Sequence, residues 1–107
     1  MPVSVDLSLI HLPRTRALDV LLNKYEAELE KICNKIMSCR VTIEDLEPYR
    51  LGENTYRTRV DIRVPPDHDI VVTQNSGDGD RNDDFYTVVR NTLDASQLQL
   101  KELMEKG

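Results

Sequence analysis

The chain has 107 residues, a formal net charge of −5 and 39% hydrophobic residues. That length suits one domain, expected over residues 1–107, which can bury a core without disulfides or a metal ion. The acidic balance argues against broad, nonspecific nucleic-acid binding, and no run reaches the roughly 20 apolar residues that span a bilayer.

The first third of the chain predicts a strand followed by a long helix. Residues 3–9, VSVDLSL, alternate apolar and polar side chains, as a half-buried strand does. Pro13 then breaks the strand, and Thr15 can cap a helix that is predicted from Arg16 to Ser38. Its apolar residues recur at spacings of three and four, on one face: Leu18, Leu22, Tyr25, Leu29, Ile32, Cys33 and Ile36.

Three further strands and a second helix follow. Residues 39–44 and 68–74 alternate in the same way, and TYRTRVDIRVP, residues 55–65, lies between them. Alternate side chains of a strand point to opposite faces, so Val60 and Ile62 face inward while the arginines face outward. Asn82 or Asp83 can cap the second helix, which extends to about Glu105. Its predicted inner face consists of Phe85, Val89, Thr92, Leu93, Ser96, Leu100 and Leu103.

The order β-α-β-β-β-α predicts an α+β fold of two layers. All four strands are apolar on one side only, so both helices should cover the same face of a four-stranded mixed sheet. This two-layer α/β sandwich is of the type found in double-stranded-RNA-binding domains. The first helix is a crossover, which predicts parallel pairing of the first two strands, whereas the later strands can form antiparallel hairpins.

The sequence contains no recognisable catalytic or metal-binding constellation. The run DGDRND has the spacing of a calcium loop, but Asp83 and Val89 stand where an EF-hand needs glycine and glutamate. His11 and His68 have no nucleophile or carboxylate partner at a recognisable spacing. We therefore expect a protein that is not an enzyme, with no metal, no cofactor and no small-molecule substrate.

The two cysteines and the N-terminus bear on the compartment. Cys33 falls on the edge of the apolar side of the first helix and Cys39 on the inward side of a strand, which is typical of reduced core residues. The N-terminal segment MPVSVDLSLIHL lacks the basic start and apolar run of a signal peptide. Both observations indicate a cytoplasmic protein.

The basic residues form two candidate surfaces. At about 100° per residue, the first helix carries three lysines on one flank, although Glu28 lies beside them. The second helix adds two outward-facing cations, each followed by a carboxylate four residues later. The positions of this first surface are Lys24, Lys31, Lys35, Arg90 and Lys101. A solvated helix edge would give the same pattern.

The third strand provides the second basic surface, an outward face of Arg57, Arg59 and Arg63. It could contact an anion or a protein partner across the open side of the sheet. The alternative is a set of cross-strand ion pairs, because three carboxylates are predicted on the same face: Asp6, Glu44 and Asp61.

Four runs of the sequence together resemble a known family: EKICNKIMSCRVTIE, NTYRTRVDIRVP, DIVVTQNSGD and DDFYTVVRNTLDASQLQLKEL. They are similar to the ribosome hibernation-promoting factors, which include ribosome-associated inhibitor A and the sigma-54 modulation proteins. The similarity covers about residues 3–104, and the family's β-α-β-β-β-α fold agrees with the order predicted from periodicity.

The resemblance implies a function. Family members bind the small ribosomal subunit near the decoding centre, across the sites of mRNA and tRNA anticodons. They inhibit translation and preserve idle ribosomes in stress or stationary phase. Their rRNA contacts come mainly from basic side chains on the two helices, which match Lys24, Lys31, Lys35, Arg90 and Lys101 here.

The sequence departs from the family late in the second helix, where typical members are rich in lysine and arginine. This chain has LQLKELMEKG, with only Lys101 and Lys106. It also lacks the long C-terminal extension of long-form members, so ribosome dimerisation through that extension is not expected. The alternative hypothesis is a protein-interaction module of the same fold, which no longer binds rRNA and uses its open sheet face.

Overall fold

The computed structural model describes residues 4–46, 55–75 and 85–106. The elements follow the predicted order: β1 (Val5–Ile10), α1 (Arg16–Ile32), β2 (Ser38–Asp45), β3 (Tyr56–Val64), β4 (His68–Asn75) and α2 (Phe85–Lys106). The expected caps Asn82 and Asp83, and the run DGDRND, lie outside the described residues.

The four strands form one mixed sheet in the order β1-β2-β3-β4. β1 pairs parallel with β2, as the crossover predicts, and β2–β3 and β3–β4 are antiparallel, as expected for hairpins. The register sets Val41 opposite Val60 and Cys39 opposite Ile62. Because a slip of one residue would turn each of these side chains to the other face, the apolar pattern determines the register.

Helix α1 begins as predicted but ends earlier. Thr15 Oγ1 accepts a hydrogen bond from the Leu18 N–H at 3.2 Å, which makes Thr15 the N-cap. The predicted end at Ser38 is wrong, because Cys33 is already extended, with φ −153° and ψ 123°. Beyond it the backbone joins the sheet, and the Met37 N–H donates to the Arg63 carbonyl at 2.8 Å. Ile36 thus continues the apolar pattern without continuing the helix.

The core lies between the sheet and the helix layer. Val60 and Ile62 are 0% and 1% exposed, and the inward side chains of both helices pack against them as predicted. Val88, which periodicity had not assigned to the inner face of α2, is also buried. Cys33 and Cys39 are both free and buried, in agreement with their prediction as core residues.

The two helices lie side by side and run in the same direction. Two hydroxyl pairs join them, Thr15 Oγ1 to the Tyr86 hydroxyl at 2.8 Å and the Tyr25 hydroxyl to Ser96 Oγ at 2.6 Å. Both pairs have a sequence separation of 71 residues, as only parallel neighbours would. Ser96 Oγ itself donates to the Leu93 carbonyl at 2.7 Å, so the Tyr25 hydroxyl is the donor to Ser96.

Candidate nucleic-acid interface

A groove of about 310 Å³ runs between α1 and α2 on the side away from the sheet. Lys24 from α1 and Arg90 from α2 both line it, so parallel packing brings together two cations that are far apart in sequence. The buried Tyr25 and Leu93 form part of its floor. Burial raises the pKa of Tyr25 far above its usual range, so this hydroxyl stays protonated.

Two further cations extend the groove along its length. Lys31 lies about two turns beyond Lys24, and Lys101 lies about three turns beyond Arg90. Each side chain therefore projects from its helix in nearly the same direction as the earlier cation. Both side chains are exposed. We define the helix surface as Lys24, Lys31, Arg90 and Lys101.

Carboxylates reduce the positive charge of the helix surface. Glu28 and Asp94 line the same groove, and Lys31 Nζ lies 3.7 Å from Glu28 Oε1. Such exposed pairs contribute little to stability, typically about 0–1 kcal/mol, and they leave the lysine able to exchange partners. The surface is therefore mixed in charge, with cations at its edges.

Lys35 does not belong to this surface, so its predicted position on the flank of α1 is wrong. The helix ends at Ile32, three residues earlier, because the chain leaves it to enter the sheet. Lys35 instead borders a separate concavity at the C-terminal ends of the helices, together with His68 and Lys106.

The arginines of β3 are exposed on the open sheet face, as predicted, and each has a partner there. Arg59 Nε lies 3.3 Å from Asp61 Oδ2, and Arg63 Nε lies 3.2 Å from Asp69 Oδ1. Arg57 Nε donates to the Asn75 side-chain oxygen at 3.2 Å. The arginines are thus held by neighbours on the same face. The Arg59–Asp61 pair lies within β3, and the pair that joins two strands, Arg63–Asp69, uses a carboxylate that the ion-pair alternative did not name.

Formal charges balance across this face. In the described strands it carries four arginines and four carboxylates: Arg40, Arg57, Arg59 and Arg63, with Asp6, Glu44, Asp61 and Asp69. Sequence reasoning missed Asp69, although the alternation of β4 places it outward and the register sets it opposite Arg63. The arginine-rich strand is compatible with an acidic protein, because carboxylates beside and opposite the arginines offset their positive charge.

An aromatic cluster was also missed in the sequence. The rings of Tyr56 and Phe85 are 5.3 Å apart and those of Phe85 and Tyr86 are 5.1 Å apart, both edge to face. Tyr86 is 39% exposed at the N-terminal end of α2, beside the cap of α1. The sequence did offer a signal for this cluster, because the aromatic Tyr86 directly follows the inward-facing Phe85. Such a ring can stack on an unpaired base.

Other kinds of site receive no support from the described ranges. Residues 4–46, 55–75 and 85–106 hold no cluster of three His, Cys, Asp or Glu side chains that could ligate a metal ion. Neither α1 nor α2 combines the length and the apolarity of a membrane-spanning helix. Burial raises the pKa of the Cys39 thiol to about 11, which leaves it an unreactive core group.

Comparison with family models decides the relationship. Residues 5–107 match the model described as "Sigma 54 modulation protein / S30EA ribosomal protein". The chain belongs to this family. Membership indicates a ribosome-associated factor of the hibernation and modulation type, with the ribosome as its partner. The family consists of ribosome-binding factors that are not known as enzymes.

Solved structures of other proteins have the same fold as this chain. The Thermus thermophilus Protein Y N-terminal domain is similar with a TM-score of 0.69 and 16% identity, covering 96% of this chain and 99% of that one. A ribosomal subunit interface protein from Coxiella burnetii has a TM-score of 0.57 and 15% identity, covering 95% and 93%. A comparison with curated protein sequences gave no match.

Proposed function

We propose that this chain, acting as a single domain in the cytoplasm, binds the small ribosomal subunit near the decoding centre. There it would occupy the paths of mRNA and tRNA anticodons, inhibit translation and preserve idle ribosomes in stress or stationary phase. Family membership over residues 5–107 carries the proposal. No catalytic step, cofactor or small-molecule substrate is part of it.

The helix surface is the proposed contact with rRNA. Parallel packing of α1 and α2 aligns Lys24 and Arg90 across one groove, and Lys31 and Lys101 prolong it in the same direction. Exposed lysine and arginine side chains can follow a phosphate backbone, which supplies most of the affinity in such complexes. Tyr86, exposed on α2, can add a stacking contact with an unpaired base.

The mixed charge of this surface predicts binding that depends on shape as well as on charge. Glu28 and Asp94 lie in the groove and would repel phosphates that enter it deeply. Phosphates should therefore contact the cations at the groove edges. Because the surface has few cations, affinity should depend less steeply on salt than in a strongly basic family member, with about 0.7–0.9 in the logarithmic slope for each phosphate contact.

The alternative, a protein-interaction module that uses the open sheet face, has less support from the geometry. The arginines that would attract an acidic partner already contact Asp61, Asp69 and Asn75. A partner would have to displace these contacts or match a nearly neutral, alternating pattern of charge. The face offers no net attraction for an anion.

Co-sedimentation with purified small ribosomal subunits tests the proposal, with release measured on adding mRNA and an anticodon stem-loop. We expect the wild-type chain to sediment with the subunit and the two RNAs together to compete it off. Binding that these RNAs leave unchanged would contradict a site near the decoding centre. Failure to sediment at low salt would contradict small-subunit binding altogether.

A further inference from the structure

The hydrogen bond between the hydroxyls of Tyr25 and Ser96 is buried between the two helices. Tyr25 is 2% exposed and Ser96 is 0% exposed, and the two oxygens are 2.6 Å apart. Ser96 Oγ donates onward to the Leu93 carbonyl at 2.7 Å, and the Cys39 thiol of β2 is a hydrogen-bonding neighbour of the Tyr25 hydroxyl. One hydroxyl therefore links α1 both to α2 and to the sheet.

This bond opposes sliding of one helix along the other. The apolar contacts around it are non-directional, so they tolerate small shifts. A hydrogen bond keeps a narrow range of length and angle, and it would break if the helices slid by about 1–2 Å, a typical shift for packed helices. Because both hydroxyls are buried, water does not readily replace a partner that is lost in this way.

The two hydroxyl pairs between the helices define which residues lie level with each other. Both pairs join a residue of α1 to the residue of α2 that is 71 positions later. Side chains of parallel helices lean in the same direction, so the same offset applies to the other positions of the layer. It places Lys101 level with residue 30, beside Lys31, and Arg90 level with residue 19, about one and a half turns before Lys24.

The register of the helices therefore determines the arrangement of the helix surface. Lys24 and Lys31 come from α1, whereas Arg90 and Lys101 come from α2. A slide of α2 along α1 changes the distances between these two sets of cations, although each helix stays intact. A folded RNA that contacts both helices binds one register best, so a slipped population reduces the apparent affinity in proportion.

We propose that Tyr25 and Ser96 are positioning residues, which hold α1 and α2 in the register that ribosomal RNA binds. The inference rests on the proposed function, because that function assigns the rRNA contacts to the helix surface. Neither side chain is a contact residue, since both are buried. They act on binding only through the relative position of the cations on the two helices.

The first test measures affinity for purified small subunits by co-sedimentation at several salt concentrations. Tyr25→Phe removes the bond and keeps the ring, and it should weaken binding about two- to fivefold. The upper value is the contribution of one hydrogen bond, and the lower value applies when the slipped register reaches half of the population. The logarithmic salt slope should stay at the wild-type value, because aligned molecules still make every phosphate contact.

The second test detects the sliding itself, without ribosomes. Register shifts of helices occur in microseconds to milliseconds, a range that NMR relaxation dispersion measures. The methyl groups of Leu29 and Leu100, one on each helix and both 0% exposed, should show exchange in Tyr25→Phe and none in the wild type. A flat dispersion profile with unchanged methyl shifts in Tyr25→Phe would overturn the proposal, because the helices would then keep their register without the bond.

Two controls separate positioning from stability. Ile43→Val, a core change on β2, lowers stability by a similar amount and should keep the wild-type affinity and a flat dispersion profile. Tyr25→Phe combined with Ser96→Ala should weaken binding no further than the more severe single change, since both remove the same bond. Equal loss in Ile43→Val, or additive losses in the double variant, would overturn the positioning role.

The outcomes also distinguish this inference from the proposed function. A wild-type chain that fails to sediment with small subunits overturns the proposed function and the positioning role with it. A wild-type chain that binds, together with a Tyr25→Phe variant that binds equally well, overturns only the positioning role. A Tyr25→Phe variant whose salt slope falls with its affinity would do the same, because a phosphate contact would then have been lost.

Discussion

Reversing two charges across the helix groove should separate specific from general electrostatic binding to the ribosome. Lys24→Glu with Arg90→Glu alters two of the four cations of the helix surface, one on each side of the groove. Both side chains are exposed, so the fold should be retained. At about 1 kcal/mol for each charged contact, affinity for the small subunit should fall about 30-fold.

The salt dependence gives a second, independent magnitude. Four phosphate contacts give a logarithmic slope of about −3, so wild-type affinity should fall about 60-fold between 50 and 200 mM salt. With two contacts left, the slope should be about −1.5 and the fall about eightfold. Glu28 and Asp94 remain in the groove and make both estimates upper limits.

The assay is co-sedimentation with small subunits over a series of salt concentrations, with a charge-matched control on the sheet. Arg57→Glu with Arg63→Glu makes the same change in net charge on a face whose charges are already balanced. The control should keep a slope near that of the wild type. Equal effects of the two variants would refute the assignment of rRNA binding to the helix surface.

Three further predictions concern stability. Ile62→Asp should unfold the protein, at a cost of at least about 4 kcal/mol in the free energy of unfolding, because it buries a carboxylate without a partner at a position 1% exposed. Arg59→Ala, by contrast, should cost less than about 0.5 kcal/mol in urea melts. Tyr25→Phe should cost about 1 kcal/mol, since it removes the hydrogen bond to Ser96. Stability should fall from about pH 9 to about pH 11, because the unfolded Cys39 thiol releases its proton in that range while burial keeps the folded one protonated.

Controls make these stability predictions decisive. A folded Ile62→Asp with a normal melt would show that β3 has the opposite register. Ser96→Ala removes the same bond from the other side and also the bond from Ser96 to the Leu93 carbonyl, so it should cost at least as much. A Tyr25→Phe variant as stable as the wild type would contradict a stabilising role for the bond. In Cys39→Ser, which lacks the thiol, the decline between pH 9 and 11 should diminish, and an unchanged decline would assign it to other groups.

Periodicity in the sequence determined which elements form and which side each one buries. Alternation in β3 predicts that Val60 and Ile62 are inside and the arginines outside, because a strand has only two faces. Spacings of three and four predict the inner stripe of both helices in the same way. The family resemblance rests on these same runs, which is why the fold could be inferred without coordinates.

Contacts between distant segments were decided only in the tertiary structure. Helix α1 ends at Ile32, and the Met37 N–H then bonds to the Arg63 carbonyl of β3, a partner that helical periodicity does not encode. Lys24 and Arg90 share a groove because the topology makes the helices parallel, and Lys35 borders the concavity at the helix ends because α1 stops early. Local pattern specifies the face on which a side chain lies, whereas its neighbours depend on how the faces pack.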